Sequence, residues 1–141
     1  MQPNAYSIRQ LIPQRPPIVM VDELLRVEGD DAVCSLTVRK DNYFIEPDSH
    51  MAEVGLIEHI AQSASAFAGF RAIETGAKTP PIGYIGEVKH FRISRRPAVG
   101  DTLLTTISMG PEVQGVTIIH GRTMCSDITI AETQMKIFIN S

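Results

Sequence analysis

The chain has 141 residues, 43% of them hydrophobic and 21% charged, an ordinary globular composition with room for one core but not for two. Its formal net charge of -3, with no basic block, argues against nucleic acid as a partner. No apolar stretch approaches the roughly 20 residues that span a bilayer, so no membrane association is expected. Cys34 and Cys125 stand alone without metal-type spacing, and no signal-peptide pattern is present. They read as reduced thiols of a cytoplasmic protein.

Residues 7–12 suit a short helical turn stopped by Pro13. Pro16-Pro17 then hold the chain extended, and Ile18 to Val27 suit a strand. Gly29-Asp30-Asp31 makes a turn, and alternation resumes from Ala32 to Val38, so the two runs pair as a hairpin. Asn42 to Met51 is irregular, with Pro47-Asp48-Ser49 as its turn residues. One long helix is predicted from Ala52 to Glu74, ended at Thr75-Gly76 with Gly76 as the C-cap. After Pro80-Pro81 the pattern gives strands over Ile82 to Ile93, Thr102 to Met109, Val116 to Cys125 and Ile128 to Ile139, with a loop at 95–101. A single long helix that is apolar on nearly every side has to be wrapped by the sheet, so the expected fold class is α+β, one antiparallel domain over residues 1–141.

The helix carries the most informative residue. Leu56, Ile60, Phe67 and Phe70 form a bulky stripe, whereas Val54, Ala61, Ser65, Ala68 and Gly69 form a small-residue side. Small side chains admit a curved sheet or a second subunit at close range. Glu58 and Gln62, four residues apart, share that side. A buried carboxylate without a partner costs several kcal/mol or is held protonated. Glu58 therefore either has a specific partner, such as an arginine or backbone donors, or lines a cavity where an acid is useful.

The remaining candidates are weaker. His50 is the one histidine of the 42–51 loop, and its neighbours Asp48 and Ser49 read as turn residues. His59 leaves the helix about 100° from Glu58 and is expected to pack or cap. His90 and His120 fall on strands, far apart in sequence. No Cys/His cluster has zinc spacing, so no metal is expected. Gly83 and Gly86 interrupt a strand instead of opening a helix, which excludes a phosphate loop. They suit sheet curvature or the close approach of an acyl chain. Arg92, Arg95 and Arg96 form either a solvated basic loop or an attractor for an acidic partner or a phosphate.

Three stretches together resemble the β-hydroxyacyl-acyl-carrier-protein dehydratases of the hotdog fold, in a divergent form similar to those of aryl-polyene and polyketide-type pathways. They are Leu11-Ile12-Pro13-Gln14-Arg15-Pro16-Pro17 followed by Val21-Asp22, then Gly55-Leu56-Ile57-Glu58-His59-Ile60-Ala61-Gln62, then Gly86-Glu87-Val88-Lys89 with Phe91-Arg92 and Pro97 through Leu103. The blocks stand in the family's order, and the implied fold covers almost the whole chain.

The resemblance implies a dimer with joined sheets and two acyl tunnels at the subunit interface. A histidine of one subunit would remove the proton beside the thioester carbonyl. The helix glutamate of the other would help the β-hydroxyl leave as water. Glu58 matches that acid and Gln62 the glutamine one turn on. A backbone amide near the helix start, in the stretch Glu53-Val54-Gly55, would steady the enolate-like oxygen. Gly86 is carried over as a substrate contact. Set without gaps, the family's histidine falls at Phe44, which has no proton chemistry, so His50 is the provisional base. The implied substrate is an acyl-carrier-protein or coenzyme A thioester, and the implied partner a second copy or another hotdog subunit; no cofactor is implied. Two alternatives remain open: a half-site or non-catalytic subunit that works with a partner dehydratase, and an acyl thioesterase.

Overall fold

A computed structural model describes residues 2–79 and 81–140, so Pro80 of the expected Pro80-Pro81 break lies outside the described residues. A short 3-10 turn over Pro3–Ala5 leads into α1 (Ile8–Leu11), whose first turn is closed by the Ser7 N–H donating to Gln10 Oε1 at 2.8 Å. Then come β1 (Glu23–Glu28), β2 (Asp31–Thr37), α2 (Glu53–Glu74), β3 (Ile82–Ile93), β4 (Thr102–Val113), β5 (Val116–Cys125) and β6 (Ile128–Asn140). The strands form one six-stranded antiparallel sheet in the order β1-β2-β4-β5-β6-β3, which leaves β1 and β3 at its edges.

Alternation decides which face of the sheet meets the helix. Along β5, Thr117, Ile119, Gly121, Thr123 and Cys125 point inward and are buried, while Ile118, His120 and Arg122 point out. Opposite them Leu56, Ile60 and Phe67 of α2 are fully buried, each burial contributing about 2 kcal/mol. Gly121 is needed where it stands, because a Cβ there would overlap the Ile60 side chain. Gly69 meets the backbone of α1 in the same way: a Cβ would overlap the Leu11 carbonyl. The small-residue side of α2 is thus partly spent on letting the N-terminal segment lie against the helix.

Two boundaries differ from expectation. Residues 18–22 do not extend β1, since the peptide groups of Ile18 and Met20 are bonded by side chains of α2. β4 continues past Met109 to Val113, and a register shift between Met109 and Glu112 accommodates Gly110-Pro111. No described helix is long and apolar enough to cross a membrane.

Candidate functional site

A cavity of about 220 Å³ opens between the small side of α2 and the β3 edge of the sheet. Ala61, Ala64, Ser65 and Ala68 form its helical wall, and Pro81, Gly83, Tyr84, Ile85 and Ile137 form the opposite one. Glu58 and Gln14 supply polar groups to a lining that is otherwise mostly apolar. Helical spacing explains the first wall: positions 61, 64, 65 and 68 fall on one face, and their small side chains leave the space unfilled.

Glu58 is half-buried on that wall, and Gln62 Nε2 donates to its Oε2 at 2.8 Å. The glutamate therefore has a partner and lines a cavity at once. Gln62 is fully buried and makes two further bonds, Nε2 to the Ile18 carbonyl at 2.8 Å and Oε1 from the Met20 N–H at 2.6 Å. Because Met20 N can only donate and Ile18 O can only accept, the orientation of the amide is settled.

The buried titratable group of this helix is its neighbour. His59 is fully buried, with Nδ1 2.6 Å from the Met20 carbonyl and Nε2 2.7 Å from Thr105 Oγ1. Thr105 Oγ1 in turn lies 2.7 Å from Thr123 Oγ1. Burial pushes the imidazole pKa down to about 4, against the opposing pull of the Met20 carbonyl and the Asp22 charge. His59 packs, as expected, but as the centre of a buried polar chain.

His50 occupies a different place. It ends the tight turn 46–50, in which Glu46 N–H donates to the His50 carbonyl at 2.9 Å and His50 N–H donates to Asp48 Oδ1 at 3.0 Å. Its Nδ1 lies 2.9 Å from the Asp48 carbonyl. A carbonyl only accepts, so Nδ1 carries a proton, and Nε2 is the nitrogen left to serve as a base. Arg96 clasps the turn through Glu46 Oε1 at 2.8 Å and through Asp48, whose carboxyl it holds below the usual range. Pro97 and Ser49 complete the clasp by accepting from Met51 N and Val99 N. His50 does not line the cavity that Glu58 lines in the same chain.

The expected substrate contacts are dispersed. Glu53 and Val54 are exposed in the first turn of α2, where N–H groups have no intrahelical acceptor. Gly55 N–H already donates to the Ala52 carbonyl at 2.9 Å. A Cβ at position 55 would come within 2.8 Å of Phe44 and Met51, so this glycine serves packing by Phe44, the residue at the position the resemblance gives to the histidine. Gly86 sits in a β3 bulge under the Phe138 ring, outside the cavity, whereas Gly83 does line it. Gln14 escaped the site reading of the sequence: its buried amide oxygen has no hydrogen-bond partner among the described residues. Only its place in the Leu11–Pro17 block hinted at a role. Arg95 is paired with Asp101, and Arg96 with the turn carboxylates, so neither is a bare surface cation. No three His, Cys, Asp or Glu side chains converge as a metal site among the described residues.

Known proteins with similar sequence or fold place the chain in a family. The chain is similar to the 3-hydroxyacyl-acyl-carrier-protein dehydratase FabZ of Oenococcus oeni, with 32% identity over 75% of this chain and 77% of that protein. It is also similar to FabZ of Bacillus cytotoxicus, with 28% identity over 94% and 98% of the two chains. Its fold matches a chain of the dehydratase heterocomplex ApeI:P from Xenorhabdus doucetiae with a TM-score of 0.89, covering 96% of this chain and 92% of that one at 16% identity. The sheet-wrapped helix is thus the hotdog fold. The family model for the ApeP-like dehydratases matches residues 6–141, which takes in α2 with Glu58 and Gln62, the clasped His50 turn and every strand, and the chain belongs to that dehydratase family.

Proposed function

We propose that the protein dehydrates 3-hydroxyacyl thioesters carried by acyl-carrier protein, giving the trans-2-enoyl product, with Glu58 as the acid. The observation that carries this reading is the Glu58 carboxyl group, anchored by Gln62 on the wall of an apolar cavity of about 220 Å³. In the reaction, the base takes the C2 proton and the electron pair moves toward the thioester carbonyl. Glu58 then gives a proton to the C3 hydroxyl, the C3–O bond breaks, and water leaves. The base and Glu58 exchange protons with solvent to reset. First-turn amides of α2, those of Glu53 and Val54, supply donors for the carbonyl oxygen, aided by the helix dipole.

The base in this reading comes across a subunit interface from a second hotdog subunit: the partner's own histidine in a heterocomplex, or His50 Nε2 in a second copy of this chain. Two observations favour a composite site. His50 stays out of its own chain's cavity, and β3 is an edge strand whose Tyr84 and Ile85 are 57% and 40% exposed beside that cavity. Pairing along such an edge would cover these side chains and bring a second subunit to the cavity mouth. The similarity to a chain of a dehydratase heterocomplex supports a different hotdog subunit as that partner, and a second copy is the alternative.

The test follows enoyl-thioester absorbance for this protein alone and mixed with a second hotdog dehydratase. Glu58→Gln is expected to cut turnover by about a hundredfold or more, the scale of a lost general acid. Unchanged turnover in that variant refutes the role of Glu58. Release of free thiol instead of enoyl product identifies a thioesterase.

A further inference from the structure

We propose that His59 is a positioning residue for this reaction, acting through the Met20 backbone and Gln62 to fix which oxygen of Glu58 delivers the proton. The inference rests on the dehydratase reading of Glu58, and it is built on five consecutive contacts. Thr123 Oγ1 meets Thr105 Oγ1 at 2.7 Å, and Thr105 Oγ1 meets His59 Nε2 at 2.7 Å. His59 Nδ1 meets the Met20 carbonyl at 2.6 Å, the Met20 N–H meets Gln62 Oε1 at 2.6 Å, and Gln62 Nε2 meets Glu58 Oε2 at 2.8 Å.

Each link has one allowed polarity. The Met20 carbonyl only accepts, so Nδ1 of His59 carries the ring proton. The ring is neutral because burial opposes its charge, which leaves Nε2 as a bare acceptor. Thr105 must therefore donate to Nε2, and its oxygen is left to accept from Thr123. On the other side, the Met20 N–H occupies Gln62 Oε1, and the amide nitrogen has to face Ile18 O and Glu58 Oε2. Oε2 of Glu58 is thereby an acceptor, and the transferable proton belongs on Oε1, the oxygen left to the cavity. The two arms meet at Met20, whose C=O and N–H belong to the peptide groups on either side of its Cα, so the coupling there is positional: holding the carbonyl holds the N–H in place. Without the ring proton on Nδ1, the Met20 backbone loses one of its two side-chain anchors, and the N–H that sets the Gln62 amide is held less firmly.

The two ring nitrogens make the proposal separable from simple packing. Asn at position 59 reproduces an Nδ1-type donor toward Met20, whereas Gln reproduces an Nε2-type contact with Thr105. In the active assembly, His59→Gln and His59→Leu are expected to lower kcat by about tenfold with KM little changed, the scale of a misplaced catalytic group. His59→Asn is expected to rescue most of that loss. Equal losses in the Asn and Gln variants overturn the proposal. Two readouts stand apart from turnover. Nitrogen-15 spectra of the wild-type protein should show His59 as the Nδ1–H tautomer throughout neutral pH, and an Nε2–H tautomer overturns the relay. The Gln62 side-chain amide should be protected from hydrogen exchange in wild type and His59→Asn but not in His59→Gln; equal protection in all three overturns it. Retained turnover in Glu58→Gln would instead sink the reaction reading, leaving the tautomer and exchange results to judge the relay by themselves.

Discussion

Acidification is expected to weaken this fold through His59 before the carboxylates are reached. The ring has an ordinary value of 6.5 when unfolded and about 4 in the folded, fully buried state. Between those values the unfolded chain binds the additional proton, so stability rises with pH across the window. The contribution is fully present above pH 6.5 and is lost as pH falls toward 4. Integrating between the two values gives a loss of about 2.5 kcal/mol on going from about pH 7.5 to about pH 4.5. Urea unfolding at those two pH values measures it, with His59→Asn as the non-titrating control. Asp48 and Asp101 are held below their ordinary range, first by Arg96 and by the Ala98 N–H respectively. They act equally in both proteins, so the quantity of interest is the difference in pH dependence. A wild-type protein that loses no more stability than His59→Asn over this range refutes the buried neutral histidine.

Gly69→Ala should destabilise the fold by about 3 kcal/mol through overpacking, because its Cβ would overlap the backbone carbonyl of Leu11, and thermal melting reads the loss. A change in melting temperature within error would mean that α1 does not lie against α2. Arg96→Ala should change stability little, as loss of an exposed ion pair does, yet reduce turnover by loosening the turn that presents His50; a variant with full activity argues against His50 as the base. Cys34 is buried, and burial pushes its thiol up to about 12, so it should resist alkylation in the native state and react only on unfolding. Gln62→Leu should lower kcat along with stability, since it removes the anchor of Glu58 and leaves the Met20 N–H buried without an acceptor.

Local chemistry determined much of this protein. The alternation of β5, the long apolar helix and its Gly76 end need only nearest neighbours and a preference for burial, so they are readable in the chain. Glu58 and Gln62 were readable for the same reason: a fixed helical spacing places them together before any tertiary contact forms. Contacts between distant segments were another matter. Ile18 to Met20 look like a strand locally, and only the docking of α2 shows that Gln62 and His59 claim their peptide groups. Gly86 suggests the close approach of an acyl chain in sequence and Gly55 lies in the stretch offered for an amide to the substrate oxygen, whereas in the fold the space beside these glycines is filled by Phe138 and Phe44. Which helical residue is half-exposed to a cavity and which is sealed among threonines likewise depends on where the sheet closes. Glu58 and His59 are adjacent in the chain but about 100° apart around the helix, and that angle became an acid on a cavity wall and a buried neutral ring only once the sheet wrapped the helix.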